Sequence, residues 1–135
     1  MNRFVAIAAA VALTVSPVCA QTPIRFAAGS DSGLWAGYVT SGHDEFTADK
    51  SFALGMAKGQ RIWLSSEQVY TWTVVTPSGR ELGCGGGSYC APNDKQGVRL
   101  PESGNYTIRT TYRMGSGAAS QPAPRRYATV MFTVR

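Results

Sequence analysis

Tyr106-Thr107-Ile108-Arg109-Thr110-Thr111-Tyr112-Arg113 is the stretch from which the rest of the chain is read. Tyr106, Ile108, Thr110 and Tyr112 occupy every second position; Thr107, Arg109, Thr111 and Arg113 fall between them. A period of two sends alternate side chains to opposite faces of an extended backbone, so this segment predicts a strand with one inward face. The pattern recurs downstream, where Ala128, Val130, Phe132 and Val134 alternate with Tyr127, Thr129, Met131 and Thr133. Upstream, Phe52, Leu54 and Met56 alternate with Ser51, Ala53 and Gly55. Tyr70-Thr71-Trp72-Thr73-Val74-Val75 is rich in the β-branched and aromatic residues that suit a pleated surface, and Trp72 reads as core. Gly59-Gln60 and Thr76-Pro77-Ser78-Gly79 supply turns.

No segment after residue 20 keeps a helical 3.6-residue apolar pattern over ten positions. Strands are expected near 24–27, 33–40, 51–57, 60–66, 69–76, 97–100, 105–114 and 126–135. The pattern therefore predicts an all-β fold, an antiparallel sandwich or barrel of seven or eight strands. Gly115 to Pro124 (GSGAASQPAP) reads as the tip of a long hairpin between the last two strands. It is longer than such a turn needs and is flanked by arginines, which makes it a candidate contact surface.

The 135 residues suffice for one domain. With 44% hydrophobic and only 16% charged residues, the chain is too apolar for a disordered tail. Residues 1–20, MNRFVAIAAAVALTVSPVCA, read as a secretory signal peptide cut after Ala20: a positive start at Arg3, an apolar run from Phe4 to Val15, then small residues. An uncleaved anchor and a lipid-modified Cys19 are the alternatives. Residues 21–135 form the expected domain, with no further segment apolar enough to span a membrane. Cleavage leaves Cys84 and Cys90, an even pair that reads as a disulfide in an oxidising compartment.

Charge is lopsided. Residues 21–94 carry a net −2, whereas residues 95–135 hold seven Lys and Arg against Glu102 alone, a net +6. An exported basic surface can meet lipid headgroups, acidic polysaccharide or an acidic cleft on another protein; nucleic acid is not expected there.

The sequence offers little to an enzyme. His43 is the one histidine and sits in a polar turn, Ser41-Gly42-His43-Asp44-Glu45, with no Gly-x-Ser-x-Gly elbow elsewhere. The eight acids are scattered, which disfavours a carboxylate pair, a metal site or a cofactor site. Gly85-Gly86-Gly87 lacks the Lys-Ser/Thr that would complete a phosphate cradle. Trp35 and Trp63 remain as candidate exposed rings for sugar or protein.

Ile24-Arg25-Phe26 through Asp44, Phe52-Ala53-Leu54-Gly55-Met56 through Leu64, the turn Ala57-Lys58-Gly59-Gln60, and Leu100-Pro101-Glu102-Ser103-Gly104-Asn105-Tyr106 followed by Tyr112-Arg113-Met114 and Tyr127 together carry a resemblance. The chain resembles the periplasmic inhibitors of g-type and i-type lysozyme, and more broadly the bacterial pre-peptidase C-terminal domains. The resemblance implies a jelly-roll-like two-sheet β-sandwich in the periplasm, with no catalysis and no cofactor. It implies a lysozyme partner, g-type first, whose cleft receives basic and hydroxyl-bearing loops. The residues so implied are Ser103, Gly104 and Tyr106 of the Ser-Gly-x-Tyr signature, with Arg113, Arg125 and Arg126. The family's basic run after the position of Met114 is replaced here by Gly115-Ser116-Gly117-Ala118-Ala119-Ser120, so the contact is either lost or carried by Arg113 and the Arg125-Arg126 pair. The alternative is a cell-envelope module that binds peptidoglycan or another glycan.

Overall fold

The computed structural model describes residues 21–40, 47–114 and 125–135. The expected signal peptide, the turn holding His43 and the loop 115–124 lie outside the described residues. The described chain forms nine strands: β1 Thr22–Pro23, β2 Ser32–Thr40, β3 Thr47–Met56, β4 Arg61–Ser65, β5 Val69–Val75, β6 Glu81–Leu82, β7 Val98–Arg99, β8 Gly104–Arg113 and β9 Arg125–Val134. One sheet has the order β1-β3-β8-β5-β6 and the other β2-β9-β4-β7. The two layers form a β-sandwich. Pairing is antiparallel except for β1, which runs parallel to β3. Every connection but β5–β6 passes from one sheet to the other, as in a jelly roll.

The alternating patterns point where they were expected to. Phe52, Ile108, Tyr112, Trp72, Val130 and Phe132 are all buried between the layers. Phe52 meets Phe132 edge-to-face across the gap, with ring centroids 5.1 Å apart. Each fully buried apolar side chain contributes about 1.5–3 kcal/mol relative to exposure, so the facing rows of β3, β4, β5, β8 and β9 together form the stabilising core.

Three expectations need correction. Residues 24–27 are not a strand: Pro23 lacks an N–H, pairing shrinks to β1, and Ile24 and Phe26 pack against the core as a strap. The short strand β6 was not expected. Most consequentially, β8 and β9 are not a hairpin. They lie in different sheets, β8 between β3 and β5, β9 between β2 and β4.

Candidate functional site

β8 ends and β9 begins at the same end of the sandwich, and this brings the three predicted arginines together. Arg113 follows buried Tyr112, so its side chain emerges on the outer face, where its guanidinium lies 3.9 Å from the centre of the Tyr70 ring. Arg125 shares a face with exposed Tyr127, and its guanidinium lies 5.3 Å from the Tyr38 ring centre. Tyr38 and Tyr127 meet edge-to-face at 5.3 Å, as their cross-strand register requires. Arg126 has the parity of buried Ala128, which puts it at the mouth between the layers. There its Nη1 donates to the Arg113 carbonyl at 2.6 Å.

This end therefore carries three arginines and three exposed tyrosines. A guanidinium stacked on a phenol spends its flat face on the ring and keeps its in-plane N–H groups for an anion. Such a fork matches a carboxylate, and Tyr and Arg are the residue types that anchor protein interfaces. Tyr38 and Tyr70 were missed in sequence: each sits on its strand far along the chain from the arginines, and only the registers of β2 with β9 and of β5 with β8 unite them.

Ser103 and Gly104 lie at the other end of β8, about 30 Å from Arg113 at the usual rise per strand residue. The six predicted residues thus belong to two ends of the sandwich. Around Ser103 the turns are tied to one another. The Lys58 N–H donates to Ser103 Oγ at 2.8 Å, and the Ser78 N–H donates to Glu102 Oε1 at 2.8 Å. Gly104 has φ +143°, and a Cβ there would meet Pro77 Cγ at 2.8 Å, so only glycine fits. Tyr106 is 1% exposed. Its hydroxyl donates to the Glu102 carbonyl and accepts from the Glu102 N–H. Of the six predicted residues, Tyr106 is thus a buried core residue that fixes this corner.

Neither tryptophan offers a free platform. Trp63 donates its indole N–H to the Lys95 carbonyl at 3.0 Å. Trp35 packs edge-to-face on Phe52, with the Lys50 ammonium 4.8 Å from its ring centre. Lys50 also donates to Thr22 Oγ1 at 2.8 Å, and burial pushes its pKa below the ordinary lysine value. Cys84 and Cys90 form the expected disulfide. The loop it closes lifts exposed Tyr89 over a groove of about 590 Å³ on the outer face of the five-stranded sheet, lined also by Asp49, Thr71, Glu81, Arg109 and Thr111. Among the described residues no three His, Cys, Asp or Glu gather as metal ligands, and no helix is long and apolar enough to cross a membrane.

No protein-family model and no curated protein matches the sequence. Among solved structures the chain is similar to Aeromonas hydrophila PliG, a periplasmic lysozyme inhibitor of g-type lysozyme, with a TM-score of 0.55 and 21% identity over 85% of this chain and 96% of that one. It is similar to a mutant of the Escherichia coli PliG (TM-score 0.55, 19% identity, 85% and 97% covered). Salmonella Typhimurium PliG gives a TM-score of 0.55 at 17% identity, with 85% and 97% covered. The chain thus shares the β-sandwich fold of the periplasmic g-type lysozyme inhibitors.

Proposed function

We propose that this protein is exported through a cleaved signal peptide, resides in the periplasm, and inhibits a g-type lysozyme without catalysing any reaction. The observation that carries the proposal is the convergence of Arg113, Arg125 and Arg126 with Tyr38, Tyr70 and Tyr127 at one end of the sandwich. The similarity in fold to three PliG inhibitors supports it, as does the export-type N-terminus. The pre-peptidase-like turns at Gly59-Gln60 and Pro77-Ser78-Gly79 fit the same scaffold.

Inhibition would follow from charge. A lysozyme cleft holds ionisable carboxyl groups that must stay accessible to sugar. An arginine fork brought into that cleft forms charge-assisted hydrogen bonds that gain strength as water leaves. The purified protein should slow the clearing of cell walls by a goose-type lysozyme in proportion to its concentration. Undiminished clearing in large molar excess of the protein would overturn the proposal.

A glycan-binding role is the second reading, and the groove under Tyr89 favours it. An exposed ring beside hydroxyls, two carboxylates and Arg109 is suited to stack on and hydrogen-bond a sugar. Retention on soluble peptidoglycan fragments, lost in Tyr89→Ala and accompanied by no effect on lysozyme, would favour that reading over inhibition.

A further inference from the structure

β2 is the outermost strand of the four-stranded sheet, and among the described residues no segment pairs with its outer side. It runs Ser32-Gly33-Leu34-Trp35-Ala36-Gly37-Tyr38-Val39-Thr40, nine residues without a charge, a proline or a register shift. Edge strands are ordinarily blunted by those devices, because their unpaired N–H and C=O groups template another strand. The outer face of this edge is apolar as well. Leu34 is 69% exposed and Tyr38 62% exposed, and exposed Met131 and Tyr127 stand directly opposite them on β9.

We infer that β2 is the pairing edge of a twofold dimer, in which two copies join β2 to β2 antiparallel about Ala36. The occupant is a second copy because the edge is complementary to itself. Antiparallel pairing centred on Ala36 sets Leu34 against Tyr38 of the second copy and Ser32 against Thr40 of the second copy. On the outer face this yields two uninterrupted apolar rows, each running Met131, Leu34, then Tyr38 and Tyr127 of the second copy. Cross-strand aromatic–aliphatic neighbours of this kind stabilise a sheet.

The charge layout agrees. β2 itself carries no charge, and the nearest guanidinium, that of Arg125, lies over Tyr38 at one end of the strand. Arg125 and Arg126 lie beside Thr40 and Val39 at one end of β2, so the antiparallel arrangement puts the two basic ends at opposite ends of a ladder about 30 Å long. That separation exceeds the screening length of about 8 Å at physiological salt, so the basic ends do not oppose association. A parallel arrangement would set them side by side. The dimer carries one Tyr/Arg end at each extremity; Tyr38 enters the seam, while Arg113, Arg126 and Tyr70 of each copy stay outside it.

The test is the solution mass of the purified protein, measured by light scattering and sedimentation with no lysozyme present, so it is independent of the inhibition assay. The wild type should show twice the chain mass, dissociating on dilution. Ala36 is exposed on the outer face, so Ala36→Lys is compatible with folding, which its circular dichroism would verify. It sets two ammonium groups against each other on the twofold axis and should yield a monomer, as should Ala36→Glu alone. Mixing the two variants should restore a dimer through the opposite charges. A wild type that stays monomeric at every concentration would overturn the inference, as would a dimer indifferent to both variants.

Discussion

The Arg126 guanidinium, rooted in the four-stranded sheet, donates its Nη1 proton to the backbone carbonyl of Arg113 in the five-stranded sheet, 2.6 Å away. That bond ties the two layers at this end of the sandwich. Arg126→Ala should cost about 1 kcal/mol, the usual net value of one hydrogen bond at a partly solvated site, read as a lower urea midpoint with unchanged slope. Amide exchange at the last residues of β8 should quicken while the middle of β8 stays protected.

What could be read in sequence was the face of each strand, not its neighbours. Phe52, Ile108 and Phe132 were placed inward by period two alone, and all three are buried. The same period is silent about pairing, so two consecutive long strands with a loop between them read as a hairpin although they belong to different sheets. The start of β3 was missed because Asp49 and Lys50 look like a loop. Yet Lys50 occupies an inward position and is accommodated only because its ammonium reaches Thr22 and the Trp35 ring. The arginines were legible as a basic segment. Their tyrosine partners were not, since cross-strand register is long-range information that a local pattern does not carry.

Tyr112 links the core to alkaline stability. Its ring is buried beside Thr110, whose hydroxyl bonds both the Tyr112 hydroxyl at 2.8 Å and the Lys50 carbonyl at 2.9 Å. Burial pushes the phenol up to about 12 from 10.0, against a smaller opposing effect of the Thr110 bond. A raised folded-state pKa means stability is fully present below the unfolded value and is lost as pH climbs toward the folded one. Stability should therefore fall between about pH 10 and 12, by up to about 3 kcal/mol for a shift of about two units. Tyr112→Phe should flatten that part of the pH–stability curve, measured by urea denaturation. An unchanged alkaline slope in the variant would refute the assignment.

The Glu102 corner should act on the acid side. The Ser78 backbone N–H and, less strongly, the Ser78 hydroxyl hold the Glu102 carboxyl below its ordinary value of 4.5. A depressed folded pKa means the contribution is present above 4.5 and fades as pH falls through the lower folded value. Glu102→Gln should therefore weaken the protein at neutral pH and narrow its gap to wild type in acid. Tyr106→Phe strikes the same corner harder. It strips the Glu102 carbonyl and N–H of their partner in a half-buried turn, a loss of about 1–3 kcal/mol that should show no acid dependence.

Cys84 and Cys90 close a ring with a sequence separation of 6, beside the Trp72–Cys90 bridge of the core. Loop-entropy reasoning gives a ring of this size about 2.4 kcal/mol of stabilisation. The paired substitution Cys84→Ser with Cys90→Ser should lower stability by about that amount in thermal or urea unfolding. The disulfide loop overhangs the outer groove of the five-stranded sheet and contributes nothing to the Tyr/Arg end. Lysozyme inhibition by the folded variant should accordingly match wild type. A collapse of inhibition with the fold intact would move the contact surface to the groove.

The two ends of β8 make opposite claims on a lysozyme, and paired variants separate them. Arg113→Ala and Arg125→Ala each remove a guanidinium held within cation–π range of an exposed tyrosine, where that contact contributes only about 0.5–1 kcal/mol to folding. At the interface each such loss should raise the inhibition constant by one to several factors of ten, since truncating a charge-assisted contact typically costs about 2–5 kcal/mol. Arg113→Lys should recover little, because an ammonium cannot present the planar two-pronged donor that a carboxylate accepts. Raising salt should weaken the wild type most and the double variant least. Ser103→Ala, at the far end, should leave inhibition near wild type, because Ser103 Oγ already accepts the Lys58 N–H. Were Ser103→Ala to abolish inhibition while the arginine variants kept it, the cleft would be meeting the Gly104 corner, and the Tyr/Arg end would lose its role.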